Sequence, residues 1–169
     1  SITSYDDRTV DVYMRIEEGN KYYIRNIEWV GNTVYNSDWL AYKLRMKKGD
    51  VYNQKLLNER ISGDDDAIGN DYYNQGYVFY SLDPVEVNID GDSIDLEMRI
   101  MEGPQATINK VRINGNDRLY ENVVRRELRT KPGDLFNKDA LERSYREIAQ
   151  MGHFNPENIQ PDVQPDGTN

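Results

Sequence analysis

The strongest constraint on this chain's fold is an internal repeat with an offset of 84 residues. Gly31-Asn32 returns as Gly115-Asn116, and Gly49-Asp50 returns as Gly133-Asp134. The same offset gives further matches: Leu44-Arg45 with Leu128-Arg129, Asn53 with Asn137, Met14-Arg15-Ile16 with Met98-Arg99-Ile100, and Glu18-Gly19 with Glu102-Gly103. Because one offset explains separate matches along the chain, the sequence indicates two copies of one structural unit.

The repeat also sets the expected domain boundaries. Gly76-Tyr77 matches Gly152-His153 at an offset of 76, so the first copy has eight additional residues, which we place around Ser62 to Asn70. We expect residues 1–20 to be the last strand of a preceding unit. Residues 21–103 form a complete unit, and residues 104–169 form a unit that lacks its last strand. On this interpretation the sequence is a fragment of a longer array.

Each unit has the pattern β-α-α-β-β. Aromatic and β-branched residues predict a strand over residues 22–29. Leu40 and Leu44 predict a first helix that ends near Gly49, and Asn53 caps a second helix that ends at Gly76. Counterparts in the second copy are a strand over Thr107–Ile113, a helix that includes Val123, Val124 and Leu128, and a helix over Lys138–Met151.

Two alternating segments complete the first unit. Val85–Ile89 and Ile94–Ile100 alternate apolar and polar residues on either side of Asp90-Gly91, which predicts a hairpin. Val87 is expected to face the core. The fold class is therefore α+β, with tandem units that each pack two helices on one face of a three-stranded mixed sheet.

Composition excludes several functional classes. The net charge of −9 argues against nucleic acid and anionic lipid as partners, since both attract basic surfaces. Cysteine is absent, which excludes disulfides, thiolate metal sites and cysteine nucleophiles. No apolar run reaches the length of a membrane helix, and no signal-peptide pattern is present.

Two local features suggest chemistry, and in both cases a structural interpretation is favoured. Asp64-Asp65-Asp66 could bind a divalent cation, but adjacent carboxylates rarely all face one ion, so we expect a solvated kink in the second helix. His153 could act as a base, but no nucleophile and orienting group accompany it. We predict no catalytic residue, metal or cofactor. A hydrolase that uses acidic residues remains an alternative, which a calorimetric titration with divalent metal would test.

Several motifs resemble the POTRA (polypeptide-transport-associated) domain. Asn74-Gln75-Gly76-Tyr77-Val78 is similar to the step that ends the second helix in that family, and Glu102–Ile108 is similar to its inter-domain junction. The stretches Arg125–Phe136 and Gly152–Glu157 resemble the arm of outer-membrane barrel-assembly proteins of the BamA family, specifically its third and fourth POTRA domains.

This resemblance implies a location and partners. The chain would be a non-enzymatic periplasmic arm joined to a C-terminal outer-membrane barrel. Its partners would be unfolded outer-membrane β-barrel proteins, periplasmic chaperones and assembly lipoproteins. The alternative is the POTRA arm of a two-partner secretion system or another related transporter.

The resemblance also implies a binding edge. In the POTRA fold we expect the strand order first-third-second, which leaves the second strand open to an extended partner. The predicted protein-binding residues are Val85, Glu86, Val87, Asn88 and Ile89, with Pro84 limiting the ladder. Gly103, Pro104 and Gln105 form a short inter-domain junction, which predicts limited swivelling.

The two ends of the chain predict self-association. Thr9–Glu17 has an apolar stripe formed by Val10, Val12, Met14 and Ile16 but no unit of its own. The second unit lacks the strand that such a stripe would supply. We therefore expect strand exchange between copies, in which the front strand of one chain fills the second unit of another.

Overall fold

The computed structural model describes residues 2–6, 9–16, 19–115 and 121–165. The elements are β1 (Ile2–Asp6), β2 (Thr9–Val12), β3 (Tyr23–Val30), α1 (Ser37–Leu44), α2 (Gln54–Asn58), a π-helical turn (Glu59–Gly63), α3 (Ile68–Asn74), β4 (Ser81–Asp90), β5 (Ser93–Met101), α4 (Glu121–Glu127), α5 (Lys138–Gln150) and a 3-10 turn (Pro156–Asn158). We call residues 22–103 unit one and residues 104–169 unit two.

Unit one is a mixed three-stranded sheet with helices packed on one face. The strand order is β3-β5-β4, with β3 parallel and β4 antiparallel to the central strand β5. The α+β fold and the first-third-second order are confirmed. The strand β5 alternates as its sequence predicts, because Ile94, Leu96, Met98 and Ile100 are buried while the residues between them are not. These side chains pack against buried residues of the helices, among them Leu40, Leu44, Leu57, Ile68 and Tyr72.

The first helix is shorter than its sequence predicts. Asn36 caps it, since its side-chain oxygen accepts from the Trp39 amide at 2.8 Å. The helix ends at Leu44 because Arg45 takes the left-handed conformation, with φ of 55°. Gly49, which we expected near the helix end, instead lies at φ of 93° in a turn closed by a hydrogen bond from the Asp50 amide to the Lys47 carbonyl. The left-handed residue that ends the helix is therefore Arg45 and not the predicted Gly49.

The second helix is broken where the additional residues lie. It consists of α2, the π-helical turn and α3, joined through Asp64–Ala67. The Arg60 side chain is 4% exposed, and its Nη1 lies 2.9 Å from Asp64 and 2.6 Å from Asp66. Its Nε also donates to the Lys43 carbonyl, which belongs to α1, at 3.1 Å. The kink predicted at the aspartates is present, but two of the three carboxylates are bonded to Arg60 rather than simply solvated.

The N-terminal segment forms a hairpin, in which the strand expected over Thr9–Glu17 extends over Thr9–Val12 only. The strand β2 pairs antiparallel with β1, with Ile2 opposite Val12 and Asp6 opposite Thr9. Moved by 84 residues, the same pairs join Glu86 with Leu96 and Asp90 with Ser93 in the β4–β5 hairpin. Residues 13–16 are not in a strand, and Glu17 lies outside the described residues. Val12, Met14 and Ile16 are exposed, and their exchange into another copy stays a prediction.

Among its described residues, unit two repeats three backbone hydrogen bonds of unit one but forms no sheet. The Ile24 amide donates to Asp50 O, the Gly49 amide to Ile24 O and the Tyr52 amide to Tyr22 O, at 2.9, 2.7 and 2.8 Å. The same three bonds recur 84 residues later, donated by Ile108, Gly133 and Phe136. We call residues 49–52 and 133–136 the clips of the two units.

The strand predicted over Thr107–Ile113 is not formed. Only an isolated bridge joins Thr107 to Leu135. A strand needs a ladder partner, and the described residues of unit two offer no central strand like β5. Its helices do form, with α5 capped by Asn137 as predicted. Asn116 and Asp117, where we expected the turn after this strand, lie outside the described residues.

Candidate protein-binding edge and inter-unit joint

The β4 strand is the open edge of the unit-one sheet. The sheet has two edges, β3 and β4, because β5 lies between them. The clip covers the start of β3, where Tyr23 bridges to Val51 and Ile24 exchanges hydrogen bonds with Gly49 and Asp50. In the described part of the chain, β4 pairs with β5 alone. Its outer backbone groups are therefore accessible along the whole strand to a strand from another molecule, whereas the start of β3 is covered.

A bulge shapes this edge. The register between β4 and β5 shifts between Glu86 and Asn88, so Val87 has no partner on β5. Val87 is 49% exposed, which contradicts the prediction that it faces the core. Ile89 lies opposite the buried Ile94 and is itself 52% exposed. The extra residue at the bulge interrupts the alternation on which that prediction relied. Leu82, earlier on β4, packs against the core instead.

Polar contacts fix both sides of the bulge. The Tyr52 hydroxyl donates to Glu86 at 2.8 Å, and burial together with this bond raises the pKa of Tyr52 to about 12. On the other side, Asn88 donates to Asp95 at 3.4 Å. Asp95 also accepts from Arg25 Nε at 2.9 Å, and this hydrogen bond lowers the pKa of the carboxyl. The edge strand is thus tied to the clip through Tyr52 and, through Asp95, to β3.

The junction between the units is short and hydrogen bonded. Gly103 has φ of 68°, and a Cβ placed there would lie 3.0 Å from Cβ of Phe79. The Gln105 side chain donates to Gln75 O, and the Ala106 amide donates to Gly76 O, both at 2.8 Å. The three predicted junction residues are followed at once by a bond to the end of α3, which favours a fixed joint.

Helix α3 of unit one and helix α5 of unit two cap each other. Asn137, the N-cap of α5, donates from its side-chain nitrogen to Asn74 O at 3.1 Å. Asn74, the last residue of α3, accepts from the Asp139 amide at 2.9 Å. Lys138 adds a bond to the side chain of Asn70 at 2.6 Å. The C-terminal end of one helix therefore meets the N-terminal end of the next, an arrangement in which helix dipoles attract.

Sequence reasoning missed this reciprocal cap. Asn137 was predicted only as the N-cap of its own helix, and Asn74 only as part of the motif that ends α3. An asparagine at each end of a short junction is the available signal, because its amide both donates and accepts.

Glu102 anchors the junction to unit one. Its carboxylate accepts from the amides of Thr33 and Val34 at 2.8 and 2.9 Å and from the Tyr72 hydroxyl at 2.9 Å. Burial acts to raise the pKa of Glu102, but these hydrogen bonds outweigh it and the pKa is lowered. This residue is the last before Gly103, so the end of the sheet and the start of the joint share one anchor.

The residues considered for chemistry are not brought together. His153 is exposed, and within the described ranges no group of three or more metal-ligating side chains is assembled. The described helices include none with the length and apolar character needed to cross a bilayer.

Comparison with known proteins gives the family. The sequence profile of POTRA, described as a surface antigen variable number repeat, matches residues 22–103 and again residues 106–169. The chain belongs to the POTRA family. The first match covers unit one and the second covers unit two, so the POTRA profile recognises each unit separately.

Curated POTRA relatives include outer-membrane assembly factors. A putative outer membrane protein assembly factor of Treponema pallidum is 24% identical over 89% of this chain. The outer membrane protein assembly factor BamA of Neisseria meningitidis is 26% identical over 96% of it. The chain spans only 17% and 20% of the lengths of these two proteins.

Solved structures support the fold. The crystal structure of Haemophilus influenzae BamA POTRA3-5 matches all of this chain with a TM-score of 0.77 and 21% identity, over 66% of that structure. The structure of Haemophilus ducreyi BamA lacking POTRA domains 1-3 matches 78% of the chain, with a TM-score of 0.64 and 20% identity, over 24% of that structure. The chain thus has tandem POTRA architecture.

Proposed function

We propose that this chain is part of the periplasmic scaffold arm of an outer-membrane β-barrel assembly machinery, and that it binds unfolded barrel proteins by strand addition to β4. The open β4 edge is the observation that carries the proposal. The opposite edge is occupied at its start by the clip, whereas β4 is open along its length among the described residues. Strand addition gives affinity through main-chain bonds and demands little of the client's sequence, which suits a binder of many clients.

The names of the relatives support the wider setting. Several are outer membrane protein assembly factors, and this chain covers only a small share of their length. We propose a periplasmic location, a C-terminal membrane barrel in the parent protein, and chaperones and assembly lipoproteins as further partners. The role is that of a scaffold rather than an enzyme, since the edge offers backbone groups and no catalytic set.

The docking strand comprises Val85, Glu86, Val87, Asn88 and Ile89. Pro84 lacks an amide hydrogen and limits the ladder toward the start of β4. The bulge leaves the Val87 and Ile89 side chains exposed beside the edge, where they are available to apolar side chains of a client. We propose that a client strand pairs from Val85 onward.

Amide chemical shifts test this without any mutation. An extended peptide with alternating apolar residues should shift the backbone amides of residues 85–90 in a nitrogen-15-labelled sample. Amides of the clip on the opposite edge should not shift. Shifts confined to the clip, or to unit two, would contradict the proposal.

Proline substitutions give a second test. Val87→Pro removes an amide donor at a residue without a partner on β5, so the structure makes it a less disruptive change than Asn88→Pro. Both should weaken peptide binding about tenfold or more, as expected from the loss of one or two main-chain hydrogen bonds. Val87→Ala and Asn88→Ala, which keep the amide, are the matched controls. Proline variants that remain folded and bind as the parent does would rule out this edge.

A further inference from the structure

The two units differ sharply in charge. Residues 22–103 contain fifteen acidic and eight basic side chains, whereas residues 104–169 contain ten of each. Within unit one the imbalance lies on the sheet. The three strands and their hairpin turn have seven carboxylates, Glu28, Asp83, Glu86, Asp90, Asp92, Asp95 and Glu97, against two guanidinium groups, Arg25 and Arg99.

Both guanidinium groups of the sheet are held by carboxylates of the central strand. Arg25 Nη2 lies 2.5 Å from Asp95, and Arg99 Nε lies 2.5 Å from Glu97. Only a longer contact of 3.4 Å joins Arg25 to Asp90, whose side chain is 78% exposed. The positive charges of Arg25 and Arg99 are therefore largely balanced by carboxylates of β5 and offset little of the negative charge along β4.

The β4 strand itself has three carboxylates and no basic side chain. Asp83, Glu86 and Asp90 are all exposed, and they are distributed along the strand before and after the bulge. An added strand places its side chains about 5 Å from those of β4. At that distance like charges repel and opposite charges attract, with a strength that depends on salt.

We infer that the β4 edge selects extended segments in which lysine or arginine alternates with apolar residues, and that it disfavours acidic segments. The inference rests on the proposed function, because it assigns a client chemistry to the same edge. The exposed Val87 and Ile89 side chains would contact the apolar residues of the segment, and the carboxylates would contact its cations. A negative sheet would also speed the encounter with such a segment.

Three peptides test the inference. They have the same length and the same apolar positions, and their remaining positions are all lysine, all glutamine or all glutamate. Binding to the 169-residue chain is measured by fluorescence anisotropy at low and high salt. We expect lysine to bind tighter than glutamine and glutamine tighter than glutamate, with about a 1.4- to 5-fold gain per ion pair at low salt. The differences should shrink at high salt.

Charge-neutralising variants locate the preference. Glu86→Gln combined with Asp90→Asn should reduce the lysine-over-glutamate preference by about 2- to 25-fold, as expected from the loss of two exposed pairs beside the docking strand. Asp38→Asn combined with Asp65→Asn changes net charge equally but on the helical side, and should leave the preference unchanged. Equal effects of the two double variants would overturn the inference, since net charge alone would then explain the binding.

The outcomes separate this inference from the proposed function. Equal affinity for the three peptides, with loss of binding in Val87→Pro, overturns the charge preference and leaves the edge in place. Lysine-peptide binding that survives Val87→Pro in a folded protein places the basic peptide elsewhere and overturns the inference. Failure of every peptide to shift the β4 amides overturns the proposed function and the inference together.

Discussion

The same three backbone hydrogen bonds hold the start of the first segment in both units, yet among the residues that the structure describes only the segment of unit one joins a three-stranded sheet. In unit one the segment continues as β3 and pairs with the central strand β5. In unit two the equivalent residues reach one bridge, between Thr107 and Leu135. The clip therefore does not require a sheet, whereas the first strand requires its central partner.

The glycine after the first strand shows most clearly what β5 contributes. Gly31 and Gly115 both have positive φ, 88° and 79°. A Cβ on Gly31 would lie 2.1 Å from the Ile100 carbonyl oxygen of β5, whereas one on Gly115 meets nothing within 4 Å. Gly31→Ala should lose about 3–5 kcal/mol of unfolding free energy, and Gly115→Ala about 1–2 kcal/mol from backbone strain alone.

Chemical denaturation measures this pair of glycine variants. Both tryptophans, Trp29 and Trp39, lie in unit one, so their fluorescence follows that unit. Amide exchange follows unit two. Equal losses at the two glycines would mean that the close approach to Ile100 is relieved at little cost.

A second contrast lies under the second helix, where Arg60 and Ser144 occupy equivalent positions 84 residues apart. Arg60 bonds Lys43 O and two aspartates, whereas Ser144 accepts from the Arg129 amide at 2.8 Å. Arg60→Met should cost about 1.5–3 kcal/mol, because it removes the donor that the Lys43 carbonyl oxygen and the partly exposed Asp64 and Asp66 share. Ser144→Ala should cost about 1–2 kcal/mol, the cost of one unsatisfied amide. Thermal unfolding measures both losses. A larger loss for Ser144→Ala than for Arg60→Met would contradict this prediction.

A comparison of the two N-cap asparagines, Asn53 and Asn137, distinguishes the stabilisation of a helix from the connection between the two units. Asn53 and Asn137 both cap their own helices, but only Asn137 also donates to Asn74 across the joint. Each change to alanine should cost about 0.5–2 kcal/mol of helix stability. Only Asn137→Ala should also weaken the contact between the two units. Nitrogen-15 relaxation would then show the units tumbling more independently of each other. Unchanged relaxation in Asn137→Ala with Asn74→Ala would show that the junction backbone is sufficient.

Acid should affect unit one through carboxyls whose pKa is lowered in the folded state. The pKa of Asp66 is lowered chiefly by its hydrogen bond from Arg60, and that of Glu102 by its amide and hydroxyl donors. The unfolded chain binds protons at these groups first, so their stabilisation is present above the ordinary values of 3.8 and 4.5 and is lost as pH falls below them. Glu102→Gln should make the free energy of unfolding fall less steeply as the pH is lowered, measured by fluorescence-monitored unfolding. An unchanged slope of unfolding free energy against pH would show that Glu102 does not contribute to the acid sensitivity.

The sequence predicted the repeat, the strand order of unit one and most helix caps, because these depend on local residues and on family resemblance. It did not predict the bulge at Val87, since an alternating pattern does not reveal an inserted residue. It placed a strand at Thr107–Ile113 on local propensity, although it also expected unit two to lack the last strand, which is the ladder partner. It described Asp64 and Asp66 as solvated, because the sequence pattern does not show that the Arg60 side chain lies between them.

The clips also suggest an order of folding. In unit one the clip joins residues 24 and 50, whereas the contact between Arg25 and Asp95 spans 70 positions. Closing the longer loop costs roughly 0.9 kcal/mol more in chain entropy. We expect the clip to form early and the parallel β3–β5 pairing late, since local contacts form fastest. The β4–β5 hairpin is also local, since its pairs span at most 20 positions, so the β4 edge would form early and would be held in place for a client only once β3 completes the sheet.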